Sequence, residues 1–130
     1  SGPCSVSQKA AEAAYTASQE CVETMRQAFE RRRDLIVELA KQIPGFNVTV
    51  PDGAFYIFPE VSALFGKKAG DKVISSADDL AMYLLEEALV ASVSGAAFGA
   101  PDCLRFSYAT SDEKLIEAMG RVKAAVEKLR

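Results

Sequence analysis

The sequence predicts an α+β domain of two layers, with helices laid over a small, largely antiparallel sheet in the order α-β-β-α-β-β-α. Three observations predict it. Apolar residues recur at helical spacing near the start of the chain and again near its end, where Leu115, Met119, Val122, Val126 and Leu129 form a seam. Between them the period drops to two: Phe46, Val48 and Val50 alternate with polar neighbours, and so do Leu104, Phe106 and Tyr108. Turn residues, Pro44-Gly45 and Pro51-Asp52-Gly53, punctuate the change of period.

Taken in order, residues 7–43 predict one long helix with Ala14, Cys21, Met25, Ala28, Leu35, Leu39 and Ile43 along a stripe, stopped by Pro44-Gly45. Such a helix is ~55 Å long. A compact domain of this size has a radius of gyration of ~14 Å, hence a diameter of ~36 Å. The alanine-rich start, with Ala10, Ala11, Ala13, Ala14 and Ala17, is therefore expected to overhang and dock elsewhere; the alternative is a helix kinked or frayed near Thr16-Ala17-Ser18. Arg31-Arg32-Arg33 spreads around the helix at about 100° per residue and forms no patch, and Glu30, Asp34 and Glu38 dilute it.

Residues 46–50 and 54–58 predict a hairpin, with Gly53 suited to positive φ in its turn. Residues 61–65 open as a short helix. Residues 66–72, rich in glycine and lysine, predict a mobile solvated loop. Ser75 or Ser76 caps the next helix, with Asp78 and Asp79 in its first turn and Leu80, Leu84, Leu85 and Ala88 on its apolar face. A strand over 90–93 follows. Thr110 and Glu113 suit a capping box for the last helix. Gly120 within it marks either a close approach to the sheet or nothing.

The chain has 130 residues, 49% hydrophobic, 25% charged, with a net charge of −3. That composition builds one core and argues against nucleic acid as a main partner. No apolar run approaches the ~20 residues of a membrane span, and no signal peptide is evident. There is no histidine, which excludes Ser-His or Cys-His nucleophile pairs within the chain and most catalytic zinc sites. Cys4, Cys21 and Cys103 are odd in number and widely spaced, as expected of reduced thiols in a cytoplasmic protein.

The stretch over 93–111 carries the chemistry. Gly95 and Gly99 bracket Ala96-Ala97-Phe98, and Pro101-Asp102 turns the chain into a strand over 104–109. Arg105 shares its outer face with the small residues Ser107 and Ala109. Read from the residues alone, Arg105 is either a cation on a solvated sheet face or a fork placed to grip a planar carboxylate. Lys67 and Lys68 read as a solvated tip, and no phosphate-binding glycine loop is present.

Three segments occur in order: Ser1-Gly-Pro-Cys-Ser-Val-Ser-Gln8, the hairpin Pro51-Asp-Gly-Ala-Phe-Tyr-Ile-Phe-Pro59, and Gly95-Ala-Ala-Phe-Gly followed by Leu104-Arg-Phe-Ser-Tyr-Ala-Thr-Ser111. Together they resemble class I aminotransferases of fold type I, which use pyridoxal phosphate (PLP), and most of all the aspartate aminotransferase branch. The likeness covers nearly the whole chain. Ser94 stands where the family often has proline, which leaves the glycine loop less rigid.

The resemblance implies that Arg105 binds the substrate α-carboxylate. It also implies that Phe55 lies near the active-site entrance, where a pocket-lining role and a plain core role stay equally open. In the family, the Schiff-base lysine and the groups holding PLP belong to a large domain upstream. None of Lys9, Lys41, Lys67, Lys68, Lys72, Lys114, Lys123 and Lys128 stands in that context. The chain is thus expected to be the C-terminal small domain of a homodimeric enzyme acting on amino-acid and 2-oxo-acid substrates. It is expected to carry no catalytic residue and no PLP of its own. A same-fold PLP lyase and an amino-acid-sensing module of a fused regulator are the alternatives.

Overall fold

The computed structural model describes residues 2–130; Ser1, the first residue of the Ser-x-Pro-x-Ser-x-x-Gln segment, lies outside the described residues. The elements are α1 (Ser5–Thr16), α2 (Glu20–Lys41), β1 (Tyr56–Ile57), β2 (Lys68–Ala69), β3 (Lys72–Val73), α3 (Ala77–Ala88), β4 (Val93–Ser94), β5 (Leu104–Ser107) and α4 (Asp112–Val126). Short 3₁₀ turns occupy Ser62–Leu64 and Gly95–Phe98. The α+β architecture is as expected: β1, β5 and β4 form an antiparallel sheet in that order, and helices cover it.

The single long helix is replaced by two, broken where the alternative reading put a kink. Thr16 Oγ1 donates back to the Glu12 carbonyl at 2.8 Å, and Gln19 Nε2 donates to the carbonyls of Ala14 and Ala17, both at 3.0 Å. Ser18 Oγ then accepts from the Glu20 amide at 3.3 Å. Polar side chains thus satisfy the backbone groups that a continuous helix would have paired, and the chain breaks over residues 17–19. No residue of α1 is buried, and Tyr15 is 89% exposed. The buried stripe of α2 also differs from expectation. Ile36, Val37 and Ala40, with Ile43 just beyond, enter the core, whereas Cys21 and Met25 are exposed because nothing in the domain reaches that far.

The expected strand over 46–50 does not form. Asn47 and Glu60 exchange both backbone hydrogen bonds, at 2.9 and 3.0 Å, so the chain between them is a wide loop rather than a tight turn. Ala54, not Gly53, takes positive φ (66°). The return strand shrinks to β1 and pairs with β5, Tyr56 opposite Ser107 and Ile57 opposite Phe106. The expected mobile loop over 66–72 is a β2–β3 hairpin, turned at Gly70 (φ 61°). Its Lys68 backbone exchanges hydrogen bonds with Arg130 at 2.7 and 3.0 Å, which ties the chain's end to the hairpin.

Ser76 caps α3, accepting from the Asp79 amide at 3.2 Å while Asp79 Oδ2 accepts from the Ser75 amide at 2.9 Å. This reciprocal pair satisfies two end donors. Ser76→Ala is expected to cost about 1 kcal/mol, measured by urea unfolding of the 130-residue chain. The apolar face of α3 is Leu80, Tyr83, Leu84 and Ala88; Leu85 points outward. The Tyr83 hydroxyl donates to the Ala125 carbonyl at 2.9 Å and couples α3 to α4. Leu89 takes the left-handed conformation (φ 54°) that ends α3, so the expected strand over 90–93 starts only at Val93. Ser111, not Thr110, caps α4, accepting from the Lys114 amide at 3.5 Å. The seam of Leu115, Met119, Val122, Val126 and Leu129 is buried as expected, and the space beside Gly120 is open.

Of the arginine run, Arg33 pairs within its own helix, whereas Arg31 and Arg32 reach α4. Arg31 bonds Asp112 at 3.0 Å, and Arg32 lies 3.5 Å from the same carboxylate at the start of α4. Arg33 pairs with Asp34 at 2.7 Å. Hydrogen bonds from Arg31 hold the Asp112 carboxyl below its ordinary range, with Arg32 adding to the effect. Two bonds from Arg26 and one from Gln27 bring Glu23 from 4.5 to about 2. Groups depressed in the folded state stabilise it above their unfolded pKa and lose that contribution as pH falls through the folded value. The urea midpoint is therefore expected to drop between about pH 5 and about pH 2. Asp112→Asn should flatten that dependence and leave the midpoint near neutrality lower than in the parent.

Candidate functional site

The inner face of β5 is fixed by the core. Leu104, Phe106 and Tyr108 are buried, and Phe106 meets the Phe46 ring at 6.0 Å. Strand alternation then sends Arg105 and Ser107 to the outer face. The registers place Val93 beside Arg105 and Tyr56 beside Ser107 on that face. Ser107 Oγ donates to the Phe55 carbonyl at 3.4 Å and accepts from the Ala109 amide at 3.2 Å.

Arg105 is half-buried between two rings, its Cζ 4.7 Å from the Phe98 centroid and 5.6 Å from that of Tyr56. Among the described residues it has no ion-pair partner, whereas Arg26, Arg31, Arg32, Arg33 and Arg121 all face carboxylates. A guanidinium with its donors free and its surroundings partly apolar can take an anion, and a planar carboxylate matches its fork.

The loop before β5 sets this arrangement. Ser94 Oγ accepts from the Ala96 amide at 3.3 Å, and Gly99 (φ 76°) closes the 3₁₀ turn that presents Phe98. Gly95 cannot carry a side chain: a Cβ there would fall on the Ala100 carbonyl oxygen and lie 2.8 Å from Phe58 Cζ. Phe58 in turn meets Phe98 edge to face, centroids 6.2 Å apart at 89°.

Phe55 is exposed, so the core reading of it is set aside; its ring stands edge-on to Tyr56 at 5.8 Å. Sequence reading brought out Arg105 but missed Phe98 and Tyr56 as its neighbours. The signal for Phe98 was its place inside Gly-x-x-Phe-Gly, and that for Tyr56 required the β1–β5 register.

Other features hold less chemistry. A cleft of about 290 Å³ between α2 and the loop at Asp52-Gly53-Ala54 contains Arg26, Glu30 and Arg33, charges already engaged with one another or with neighbours. Cys4, Cys21 and Cys103 are free thiols. Burial pushes the Cys103 thiol up. Among the described residues no cluster of three or more His, Cys, Asp or Glu suits a metal, and no helix is long and apolar enough to cross a membrane. Of the eight lysines, six are exposed, and Lys67 and Lys123 are half-buried, on the hairpin and on α4.

The family described as aminotransferase class I and II matches residues 1–122. The chain is 51% identical over 112 residues to a probable aspartate/prephenate aminotransferase of Aquifex aeolicus, covering 86% of this chain and 27% of that protein. It is 47% identical over 130 residues to the aspartate aminotransferase of Geobacillus stearothermophilus, covering 98% of this chain and 31% of that protein. The crystal structure of an aspartate aminotransferase from Rhizobium meliloti superposes with a TM-score of 0.95 at 41% identity, over 100% of this chain and 33% of that one. The chain thus spans about a third or less of each relative.

Proposed function

Because the chain belongs to the class I and II aminotransferases, we propose that it is the C-terminal small domain of a PLP-dependent enzyme that moves an amino group between an amino acid and a 2-oxo acid. Arg105 binds the substrate α-carboxylate and so fixes which bond at Cα is presented for reaction. The observation that carries this reading is a guanidinium without an acidic partner, flanked by Phe98 and Tyr56 on the outer face of β5. Aspartate with 2-oxoglutarate is the proposed substrate pair. Prephenate is a second amino acceptor, favoured by the name of the Aquifex aeolicus relative.

The cofactor, its lysine and its phosphate-binding groups are supplied by a large domain outside these residues, and the PLP it holds supplies the electron sink for the reaction. The exposure of all of α1, with Val6 and Tyr15 outward, supports its docking on that domain or on the second subunit of a homodimer. Closure of the present domain over bound substrate excludes water from Arg105 and its ligand. The three free thiols fit a cytoplasmic enzyme.

The test is an assay of the purified full-length protein with aspartate and 2-oxoglutarate, and with prephenate as acceptor. Amino transfer that requires PLP, with the isolated 130 residues inactive, is expected. Elimination products instead of a new amino acid would favour a lyase. Ligand binding without turnover would favour a sensing module.

A further inference from the structure

We propose that Phe98 is the positioning residue for Arg105: its ring holds the guanidinium where an incoming carboxylate can use the free donors. The inference rests on the reading of Arg105 as the α-carboxylate ligand. An arginine side chain is long and loses considerable rotamer freedom when a ligand fixes it. Holding it beforehand lowers that cost and tightens binding. A ring face can do this without consuming an N–H donor, which a carboxylate partner from within the domain would do.

Phe98 is the nearer of the two rings, at 4.7 Å against 5.6 Å for Tyr56. Its own placement is specified from behind. Gly95 leaves room for the Phe58 ring, Phe58 abuts Phe98 edge to face, and the turn over Gly95–Phe98 is closed at both ends by Ser94 and Gly99. Yet Phe98 is itself 52% exposed, more than a ring serving only the core would be. The exposed Phe98 ring thus stands beside the unpaired guanidinium.

The experiment is steady-state kinetics of the full-length holoenzyme bearing Phe98→Leu, Phe98→Tyr or Arg105→Ala. Phe98→Leu keeps an apolar side chain but removes the π face. It should raise KM for both the amino-acid and the 2-oxo-acid substrate about tenfold, with kcat within about twofold and the melting temperature unchanged. Phe98→Tyr should restore the parental KM. The proposal is overturned if Phe98→Leu matches the parent while Arg105→Ala is impaired, or if Phe98→Tyr is as impaired as Phe98→Leu. If Arg105→Ala also matches the parent, the carboxylate reading itself has failed and this inference goes with it.

Discussion

Arg105→Ala in the full-length protein should lower kcat/KM for aspartate by about 10²–10⁴, the range that follows from losing a charge-assisted, bidentate contact in a closed site. The melting temperature should move by no more than about 2 °C, because the side chain makes no ion pair or core contact that folding needs. Arg105→Lys should recover only part of the activity, since an ammonium keeps the charge but loses the planar fork. Kinetics and a thermal melt on the same preparations check both halves. A destabilised Arg105→Ala with unchanged kcat/KM would reverse the assignment.

The neighbouring residue should behave in the opposite way. Phe106 points inward from the same strand, nearly fully buried and against the Phe46 ring, and Phe106→Ala is expected to cost about 3–5 kcal/mol. Urea unfolding of the 130-residue chain measures this directly. A loss below about 1 kcal/mol would mean that β5 does not present this face to the core. The contrast between adjacent residues follows from the two-residue period of a strand: one face is bound to packing and the other is left outside the core.

That period is also why β5 was legible in the sequence. Leu104, Phe106 and Tyr108 alternate with residues that are smaller or polar, and one buried face permits only one register. The seam of α4 was legible for the equivalent helical reason, and the α3 cap to within one residue: Ser75 and Ser76 each stand three residues before an aspartate, and the fold uses Ser76.

What escaped the sequence depended on partners far along the chain. Residues 46–50 alternate as a strand should, yet Asn47 finds Glu60 and β1 finds β5, so the alternation has no adjacent strand to serve. The β2–β3 hairpin has little apolar patterning and owes part of its placement to backbone bonds with Arg130. The break after α1 was legible only as an alternative, a kink near Thr16-Ala17-Ser18; its cause lies in the local hydrogen bonds of Thr16, Ser18 and Gln19, which helical periodicity does not register. At the site, a glycine loop and an arginine were visible in sequence, but the rings at the guanidinium required the folded loop and the sheet register.

Whether Arg105 meets the α-carboxylate is read out by a cycle across protein and substrate. The kcat/KM of parent and Arg105→Ala full-length enzymes would be measured with L-aspartate and with its α-amide, which keeps the amino group and side chain but removes the charge that Arg105 is assigned to bind. If Arg105 binds that carboxylate, the parent-to-variant ratio is about 10²–10⁴ for aspartate and close to one for the α-amide. Equal ratios for the two substrates would contradict it.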